Sequence, residues 1–303
     1  MYKLSDEVKT ATKALRRAAE IGTLSYVNGA LTDAPDKDAI LVMSFGTTYE
    51  ETRKKTIEAT VSDIKDAFSN VKVALSFTSH IIIERIKQNE GKEYPTPEEA
   101  LKILKKEGYT RVALVTLNII PGLEYGYNYW IYEEAKRDFK KVVLGTPLIY
   151  WQGQENQDDD VKNFIKAMEE DIKTRSDEEA VLLLAHGTPQ PANAYYSVIQ
   201  AKLNDMGYDN AYVYTVEGWP NIDTVIPKLK AKGIKRVKLQ PMMMVAGDHA
   251  VNDMAGEEPK SHLNVLTRAG FNVSVDLKGL GEIKKVRELY VDKVREAWGL
   301  LRE

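Results

Sequence analysis

Three side chains able to bind a metal ion, His186, Glu217 and His249, each come just after an apolar run of the 303-residue chain. The runs have the length and composition of strands that are buried on both faces of a sheet. Because the carboxyl ends of parallel strands lie at one edge of a sheet, beside the binding crevice, we expect these side chains close together. Two imidazoles and one carboxylate, with coordination positions left open, suit Fe(II), Co(II), Ni(II) or Zn(II).

The same residues also have a structural interpretation, in which a strand-end histidine or glutamate only hydrogen-bonds its own loop. The pattern by itself leaves both interpretations open. His80 ends the second strand of the first half, roughly where Glu217 ends its counterpart, so it either lines the opposite wall or has a structural role. His262 lies on a polar helix and is expected to be solvated. The acidic stretch at 248–258 either guides cations to the site or is a hydrated loop.

The composition excludes several other kinds of site. The chain has no cysteine, which excludes disulfides, thiolate metal sites and cysteine nucleophiles. A formal charge of −3 indicates no nucleic-acid partner. Neither GxGxxG nor a Walker lysine is present, so no nucleotide cofactor is expected. The chain lacks an apolar run of roughly 20 residues and an apolar signal core, so we expect a cytoplasmic protein, or an exported one whose signal has been removed.

Strand-like runs and amphipathic stretches alternate along the chain, as in βαβ units. We predict a helical extension at 1–37, an α/β domain at 38–152 and a second α/β domain, with the metal site, at 153–303. The helix of the extension is expected at 6–21, packed on the domain or on another subunit, so a homo-oligomer is compatible with the sequence. The predicted strands are 39–45, 71–78, 111–120, 141–148, 181–185, 211–216, 237–244 and 273–277. The predicted helices are 49–68, one beginning at residue 97, 125–139, 161–174, 192–206, 222–232, 259–269 and 283–301.

The two halves of the chain are related to each other. Residues 108–124 align without gaps over residues 233–249, at an offset of 125. The end of the first strand matches too, since residues 44–47 (Ser-Phe-Gly-Thr) correspond to residues 185–188 (Ala-His-Gly-Thr). Two matches in the same order indicate a duplication. The sequence therefore predicts two similar parallel-sheet domains that face each other across a cleft.

Four motifs resemble those of one enzyme family. They are Val-Met-Ser-Phe-Gly-Thr-Thr-Tyr at 42–49, Phe-Thr-Ser at 77–79, Met-Met-Val-Ala-Gly-Asp-His-Ala-Val-Asn-Asp-Met-Ala at 243–255 and Gly-Leu-Gly-Glu at 279–282. With these motifs the chain resembles the anaerobic sirohydrochlorin cobaltochelatases, class II chelatases that are related in fold to ferrochelatase. The resemblance extends over residues 39–298, nearly the whole chain apart from the extension.

The resemblance implies a pair of flavodoxin-like domains with a tetrapyrrole held between them. The family's metal-binding histidine in its His-Gly motif falls on His186, its glutamate in the Val-Glu motif on Glu217, and its histidine in the Gly-Asp-His motif on His249. These are the three residues selected above from strand ends alone. Relatives often carry histidine where this chain has Asn118, so one auxiliary ligand on the first wall is absent here. The residues expected to contact the tetrapyrrole are Ser44, Phe45, Gly46, Thr47, His80, Asn118, Gly187 and Gly247.

We therefore predict a lyase that inserts a divalent metal, with Co(II) as the expected ion, into sirohydrochlorin in anaerobic cobalamin biosynthesis. His186, Glu217 and His249 would hold the ion and act as the catalytic residues, and Glu217 or His186 would accept the pyrrole protons. One alternative is a ferro- or nickel-chelatase acting on another tetrapyrrole. A second is a haem or tetrapyrrole binder with His80 or His249 as axial ligand, and a third is a periplasmic metal-binding protein.

Overall fold

A computed structural model of the protein describes residues 4–5, 7–154 and 156–303. Two separate sheets form the framework, one in each half of the chain. The first sheet contains β1 Leu24–Val27, β2 Asp38–Ser44, β3 Lys72–Phe77, β4 Arg111–Thr116 and β5 Lys141–Leu144. The second contains β6 Glu179–Ala185, β7 Ala211–Thr215, β8 Arg236–Pro241 and β9 Asn272–Val275.

The two sheets share one strand order. The first runs β1-β5-β4-β2-β3 and the second β7-β6-β8-β9. All neighbouring strands are parallel except β1 and β5. Leaving β1 aside, each half places its first strand between its second and third, with the fourth outside the third, which is the flavodoxin-like order. The predicted pair of similar α/β domains with parallel sheets is thereby confirmed.

Helices cover both faces of each sheet, so the central strands are apolar throughout. In β2, for example, Ile40, Leu41 and Val42 are all fully buried. The helices of the first half are α1 Lys13–Ala19, α2 Glu50–Arg53, α3 Ala59–Ala67, α4 His80–Glu90, α5 Pro97–Lys106 and α6 Leu123–Ala135. Those that follow are α7 Asp160–Ala167, α8 Glu169–Ile172, α9 Ala194–Asp205, α10 Ile222–Ala231, α11 His262–Arg268 and α12 Lys284–Arg302.

Local signals explain several helix boundaries. Helix α5 begins with a capping box, in which Thr96 and Glu99 bond each other's backbone amides, and Pro97 occupies its first turn. Helices α2 and α3 are joined by a π-helical turn, Lys54–Glu58, and together form the single helix predicted at 49–68. A second π-helical turn, His249–Met254, follows β8. Within the described ranges, no helix combines the length and apolar character needed to cross a bilayer.

The N-terminal extension differs from the predicted single helix. Helix α1 begins only after Thr12, whose hydroxyl accepts a hydrogen bond from the amide of Leu15, and the predicted start at Asp6 lies outside the described residues. The extension also contributes the unpredicted strand β1, which pairs antiparallel with β5 at the edge of the first sheet. Four residues that are stabilised by a distant strand leave little periodic signal in the sequence.

Three strands end three or four residues earlier than predicted. Strands β4, β5 and β8 stop at residues 116, 144 and 241 rather than 120, 148 and 244. The apolar residues beyond β4 and β5 belong to buried loops, including Leu117, Leu148 and Ile149. Because these loops are buried between the two halves, they are as apolar as the strands that they follow, and the sequence does not show where each strand ends.

The last helix returns to the first half of the molecule. Helix α12 packs on β4, β5 and α3, and the hydroxyl of Tyr290 donates a hydrogen bond of 2.9 Å to the carbonyl oxygen of Leu117. Lys293 forms a buried ion pair of 2.8 Å with Asp160, at the start of α7. The chain therefore crosses between the halves twice, and the predicted boundary near residue 152 remains a prediction.

Candidate metal centre

The structure brings the three predicted ligands together at the carboxyl edge of the second sheet. His186 follows β6, Glu217 lies just past β7, and His249 opens the π-helical turn after β8. One potential ligand atom from each side chain lies within 4.8 Å of the others. Among the residues that the structure describes, these form the one cluster of three or more such side chains. Bonds of about 2.1 Å set the ligand atoms of a tetrahedral ion about 3.4 Å apart, so small side-chain rotations suffice to bind one.

Gly187 holds two of the predicted ligands side by side. The amide of Glu217 donates to the carbonyl oxygen of His186 at 2.8 Å, which continues the ladder between β6 and β7 past the strands. Gly187 has a φ of +92°, and a methyl group in place of its hydrogen would lie 2.0 Å from the carbonyl oxygen of Glu217. Only glycine fits this close approach. Nδ1 of His186 lies 3.0 Å from the carbonyl oxygen of Gly187, which leaves Nε2 for a ligand.

The third ligand is fixed by its own turn and by a neighbouring loop. Nδ1 of His249 lies 2.7 Å from Oδ2 of Asp253 in the same π-helical turn, so its Nε2 is also left for a ligand. Gly279 packs against the segment that precedes this turn, and a methyl group there would lie 2.9 Å from the amide nitrogen of Ala246. π-Helical turns recur at functional sites because they redirect side chains.

The opposite wall carries an acidic residue that the sequence analysis did not select. Glu124, in the first turn of α6, is half-buried, and its carboxylate accepts a hydrogen bond of 3.5 Å from the hydroxyl of Thr78. Burial raises the pKa of Glu124, and this effect is partly offset by the Thr78 hydrogen bond and by the nearby His186. The internal repeat pairs Glu124 with His249, and this correspondence is the signal that could have identified it.

Two equivalent contacts join the halves on either side of the crevice. A methyl group added at Gly247 would lie 3.6 Å from the hydroxyl oxygen of Thr47, and one added at Gly122 would lie 3.5 Å from that of Thr188. The repeat relates Gly122 to Gly247 and Thr47 to Thr188, so the two contacts are reciprocal. The strand ends of the halves therefore face each other around an approximate two-fold axis.

A polar contact adds to this interface. Tyr49, from the loop before α2, lies close enough to Asp248, which directly precedes His249, to interact with its charge. Burial raises the pKa of the Tyr49 hydroxyl, and the charge of Asp248 raises it further. The loop after β2 is thereby linked to the segment that carries the third ligand.

The predicted tetrapyrrole-contacting residues of the first half lie in the loop after β2. Ser44 and Thr47 are buried, while the side chain of Phe45 is 48% exposed. Gly46 has a φ of +92° and packs against the ring of Phe77. The exposed phenyl ring is therefore the apolar surface that this loop presents.

His80 and Asn118 follow β3 and β4, which lie on either side of β2. His80 is exposed at the start of α4, and backbone hydrogen bonds make Ser79, not His80, the counterpart of Glu217. Asn118, just past β4, accepts hydrogen bonds through Oδ1 from Thr116 and, at 2.8 Å, from Asn128. Its oxygen is therefore already engaged by the protein, and His80 does not belong to the three-residue cluster.

The prediction that His262 is solvated is wrong. Its Nδ1 lies 3.1 Å from the hydroxyl of the buried Tyr214, and burial lowers its pKa. The helix that carries His262 packs against the outer strand β9, so one of its faces is covered.

Two flavodoxin-like halves that face each other, with two imidazoles and a carboxylate on one wall of the crevice, define a metal chelatase of the two-domain α/β class. The comparison with known families supports this class, because the cobalt chelatase (CbiK) model matches residues 38–299. The chain belongs to the cobalt chelatase family and is an enzyme.

Two characterised relatives have similar sequences over most of their length. Sirohydrochlorin cobaltochelatase of Salmonella typhimurium is 32% identical over 261 residues, which cover 86% of this chain and 96% of the relative. Sirohydrochlorin cobaltochelatase CbiKC of Nitratidesulfovibrio vulgaris is 30% identical over 267 residues, which cover 86% of this chain and 90% of the relative.

Solved structures support the fold. SirB from Bacillus subtilis, solved with Fe3+, superposes with a TM-score of 0.60 at 20% identity and covers 86% of this chain and 95% of its own. A multi-domain protein from Deinococcus radiodurans with structural similarity to chelatases has a TM-score of 0.55 at 14% identity, over 87% of this chain and 56% of its own.

Proposed function

We propose that this protein inserts Co(II) into sirohydrochlorin and that His186, Glu217 and His249 hold the incoming ion. The observation that carries the proposal is the convergence of these side chains from three strand ends to within 4.8 Å. The names of the two sirohydrochlorin cobaltochelatase relatives support the same metal and ring. Co(II) accepts imidazole and carboxylate ligands, so the ligand set suits it.

The exposure of the cluster fits transfer better than storage. His186 and Glu217 are exposed, and His249 is partly exposed, so an ion can enter from solution and leave toward a ring. Three protein ligands leave coordination positions free, as in catalytic rather than structural sites. The pyrrole nitrogens would take these positions first and then replace the protein ligands.

Insertion also requires removal of two N–H protons from the macrocycle. Glu217 and His186 are candidate acceptors on the metal side, and Glu124 adds a carboxylate on the other side of the crevice. Its raised pKa makes Glu124 a stronger base than an ordinary carboxylate. A metal that enters from one face while a proton leaves from the other avoids repulsion between the two cations.

The two walls of the crevice present different side chains to the ring. The first half presents Phe45 where the second presents His186, so the ring would rest on an apolar wall and face a wall of ligands. Cleft closure around the ring would supply the binding energy that distorts it toward the ion. The residues proposed to contact the ring are Ser44, Phe45, Gly46, Thr47, His80, Asn118, Gly187 and Gly247.

An anaerobic absorbance assay tests the proposal. Purified protein is mixed with sirohydrochlorin and, in separate cuvettes, Co(II), Fe(II) or Ni(II), beside a His249→Ala variant. We expect metal-dependent loss of the free-base spectrum, fastest with Co(II) and abolished in the variant. No conversion above the uncatalysed rate with any ion would reject chelation, and a shifted but static spectrum would indicate a tetrapyrrole binder.

A further inference from the structure

The π-helical turn after β8, together with Asp248 just before it, contains two side-chain pairs with four-residue spacing. In one, Nδ1 of His249 lies 2.7 Å from Oδ2 of Asp253. In the other, Nδ2 of Asn252 donates to Oδ1 of Asp248 at 2.7 Å. The first pair engages a proposed metal ligand, while the second faces Tyr49 of the other half. Asp253 and Asp248 therefore act on different partners.

The two histidines of the site have different supports behind their rings. Nδ1 of His186 meets a neutral backbone carbonyl at 3.0 Å, whereas Nδ1 of His249 meets a carboxylate at 2.7 Å. A carboxylate behind a metal-binding imidazole fixes the tautomer and ring orientation and strengthens the imidazole as a ligand. His249 is thus the better prepared of the two to capture an ion.

We infer that Asp253 is a positioning residue, which holds His249 with Nε2 directed at the incoming ion and strengthens its bond to that ion. The inference rests on the proposed metal site and adds an order in which the two histidines release the ion. The ion is captured mainly through His249, and His186, backed only by a carbonyl, is the imidazole that yields more readily to the ring nitrogens. Asp253 touches neither metal nor ring.

The loss of Asp253 has a defined expected effect. In Asp253→Asn the charge is gone and an amide faces Nδ1, so the ring is no longer held as the Nδ1–H tautomer by an anion. Changes of this kind lower metal affinity by about 10–100-fold. We expect the dissociation constant for Co(II) and the KM for Co(II) to rise by this factor. The KM for sirohydrochlorin should stay within about twofold, since Asp253 does not contact the ring.

The test measures Co(II) binding by calorimetry, without tetrapyrrole, together with the two KM values. Asp253→Asn and Asp253→Ser are compared with wild type, with His249→Ala and with Glu258→Gln. Glu258 is an exposed acid five residues further along, so its variant loses the same charge without a contact to His249. Thermal unfolding checks that each variant is folded, which the partial exposure of Asp253 favours.

The outcomes separate this inference from the proposed function. Weak Co(II) binding by both Asp253 variants, with normal binding by Glu258→Gln, supports the positioning role. Normal binding by both Asp253 variants while His249→Ala fails to bind rejects the positioning role and leaves the metal site in place. Normal binding by His249→Ala rejects the metal site itself.

Discussion

Phe45 occupies in the first half the position that His186 occupies in the second. Each residue follows the first parallel strand of its half, β2 or β6, and each is followed by a glycine with a φ of +92°. The backbone amide of Ser79 donates to the carbonyl oxygen of Phe45, and that of Glu217 donates to the carbonyl oxygen of His186. The duplicated halves have therefore kept one backbone geometry while one wall presents an apolar side chain and the other a ligand.

The shared geometry allows a matched pair of substitutions. Gly187→Ala should cost about 1–2 kcal/mol for the left-handed backbone and should also displace Glu217, whose carbonyl oxygen is 2.0 Å from the new methyl group. We expect Co(II) affinity to fall by at least about tenfold. Calorimetric Co(II) titration and urea unfolding measure the two effects.

Gly46→Ala is the control, because its φ is the same but its methyl group would meet the side chains of Phe77 and Ile82 instead. It should lose stability and keep Co(II) binding. Equal loss of Co(II) affinity in both variants would contradict the proposed role of Gly187.

Glu124 should titrate as a group whose pKa is raised by burial. Because its folded-state pKa is above that of the unfolded chain, the wild type loses stability as pH rises through the folded pKa, and Glu124→Gln does not. The variant should melt about 1–2 °C higher at pH 7.5, a small gain because solvent screens a half-buried carboxylate. The difference should vanish below about pH 4, where the acid is protonated in both states.

The same variant tests the proton acceptor. We expect kcat for insertion to fall by about 100-fold in Glu124→Gln while Co(II) binding is unchanged, since a positioned base contributes about that factor. In the wild type, kcat should rise with pH through the raised pKa, and this limb should be missing in the variant. A normal kcat and pH profile would assign proton removal to Glu217 or His186.

Substitution of Asn118 should weaken binding of the ring and leave binding of the metal unchanged. Oδ1 of Asn118 already accepts hydrogen bonds from Thr116 and Asn128. Asn118→Ala should leave the Co(II) dissociation constant within about twofold and raise the KM for sirohydrochlorin several-fold, as expected for the loss of one hydrogen bond. Thr116→Val is the control, because it removes the hydroxyl that donates to Oδ1 of Asn118 and leaves Asn118 itself in place. A tenfold loss of Co(II) affinity in Asn118→Ala would place Asn118 in the metal site.

The buried ion pair of α12 should be a large contributor to stability. Lys293→Met leaves the carboxylate of Asp160 buried without its partner at 2.8 Å, which typically costs about 3–5 kcal/mol. Lys284→Met removes an exposed pair of 4.0 Å with Glu288 and should cost less than about 0.5 kcal/mol. Urea unfolding compares the two, and a loss below about 1 kcal/mol in Lys293→Met would show that the backbone amides of Tyr150 and Trp151, which donate to Oδ2 of Asp160, are enough to stabilise the carboxylate.

The three-residue cluster could be predicted from sequence because each predicted ligand is tied to a strong local signal, the end of an apolar strand. Parallel strands then bring such ends to one edge, so no further information was needed to group His186, Glu217 and His249. The repeat likewise predicted two similar sheets, because it lies on the strand ends themselves.

What escaped prediction depends on contacts between distant segments. Strand β1 exists because β5 offers it an edge, and the loop after β4 is apolar because the halves bury it. Glu124 matters because the fold sets it near His186, and His262 is covered because Tyr214 lies beneath it. Local periodicity reports none of these contacts.

The return of α12 to the first half has a mechanical consequence. Because the polypeptide joins the two halves at two places, we expect the second half to rock about the line through both connections and not to rotate freely about a single linker. A metallated ring would therefore leave by a tilt that widens one side of the crevice, with the three ligands moving as one rigid group. Cleavage between β9 and α12 would release that constraint and disconnect ligand movement from ring release.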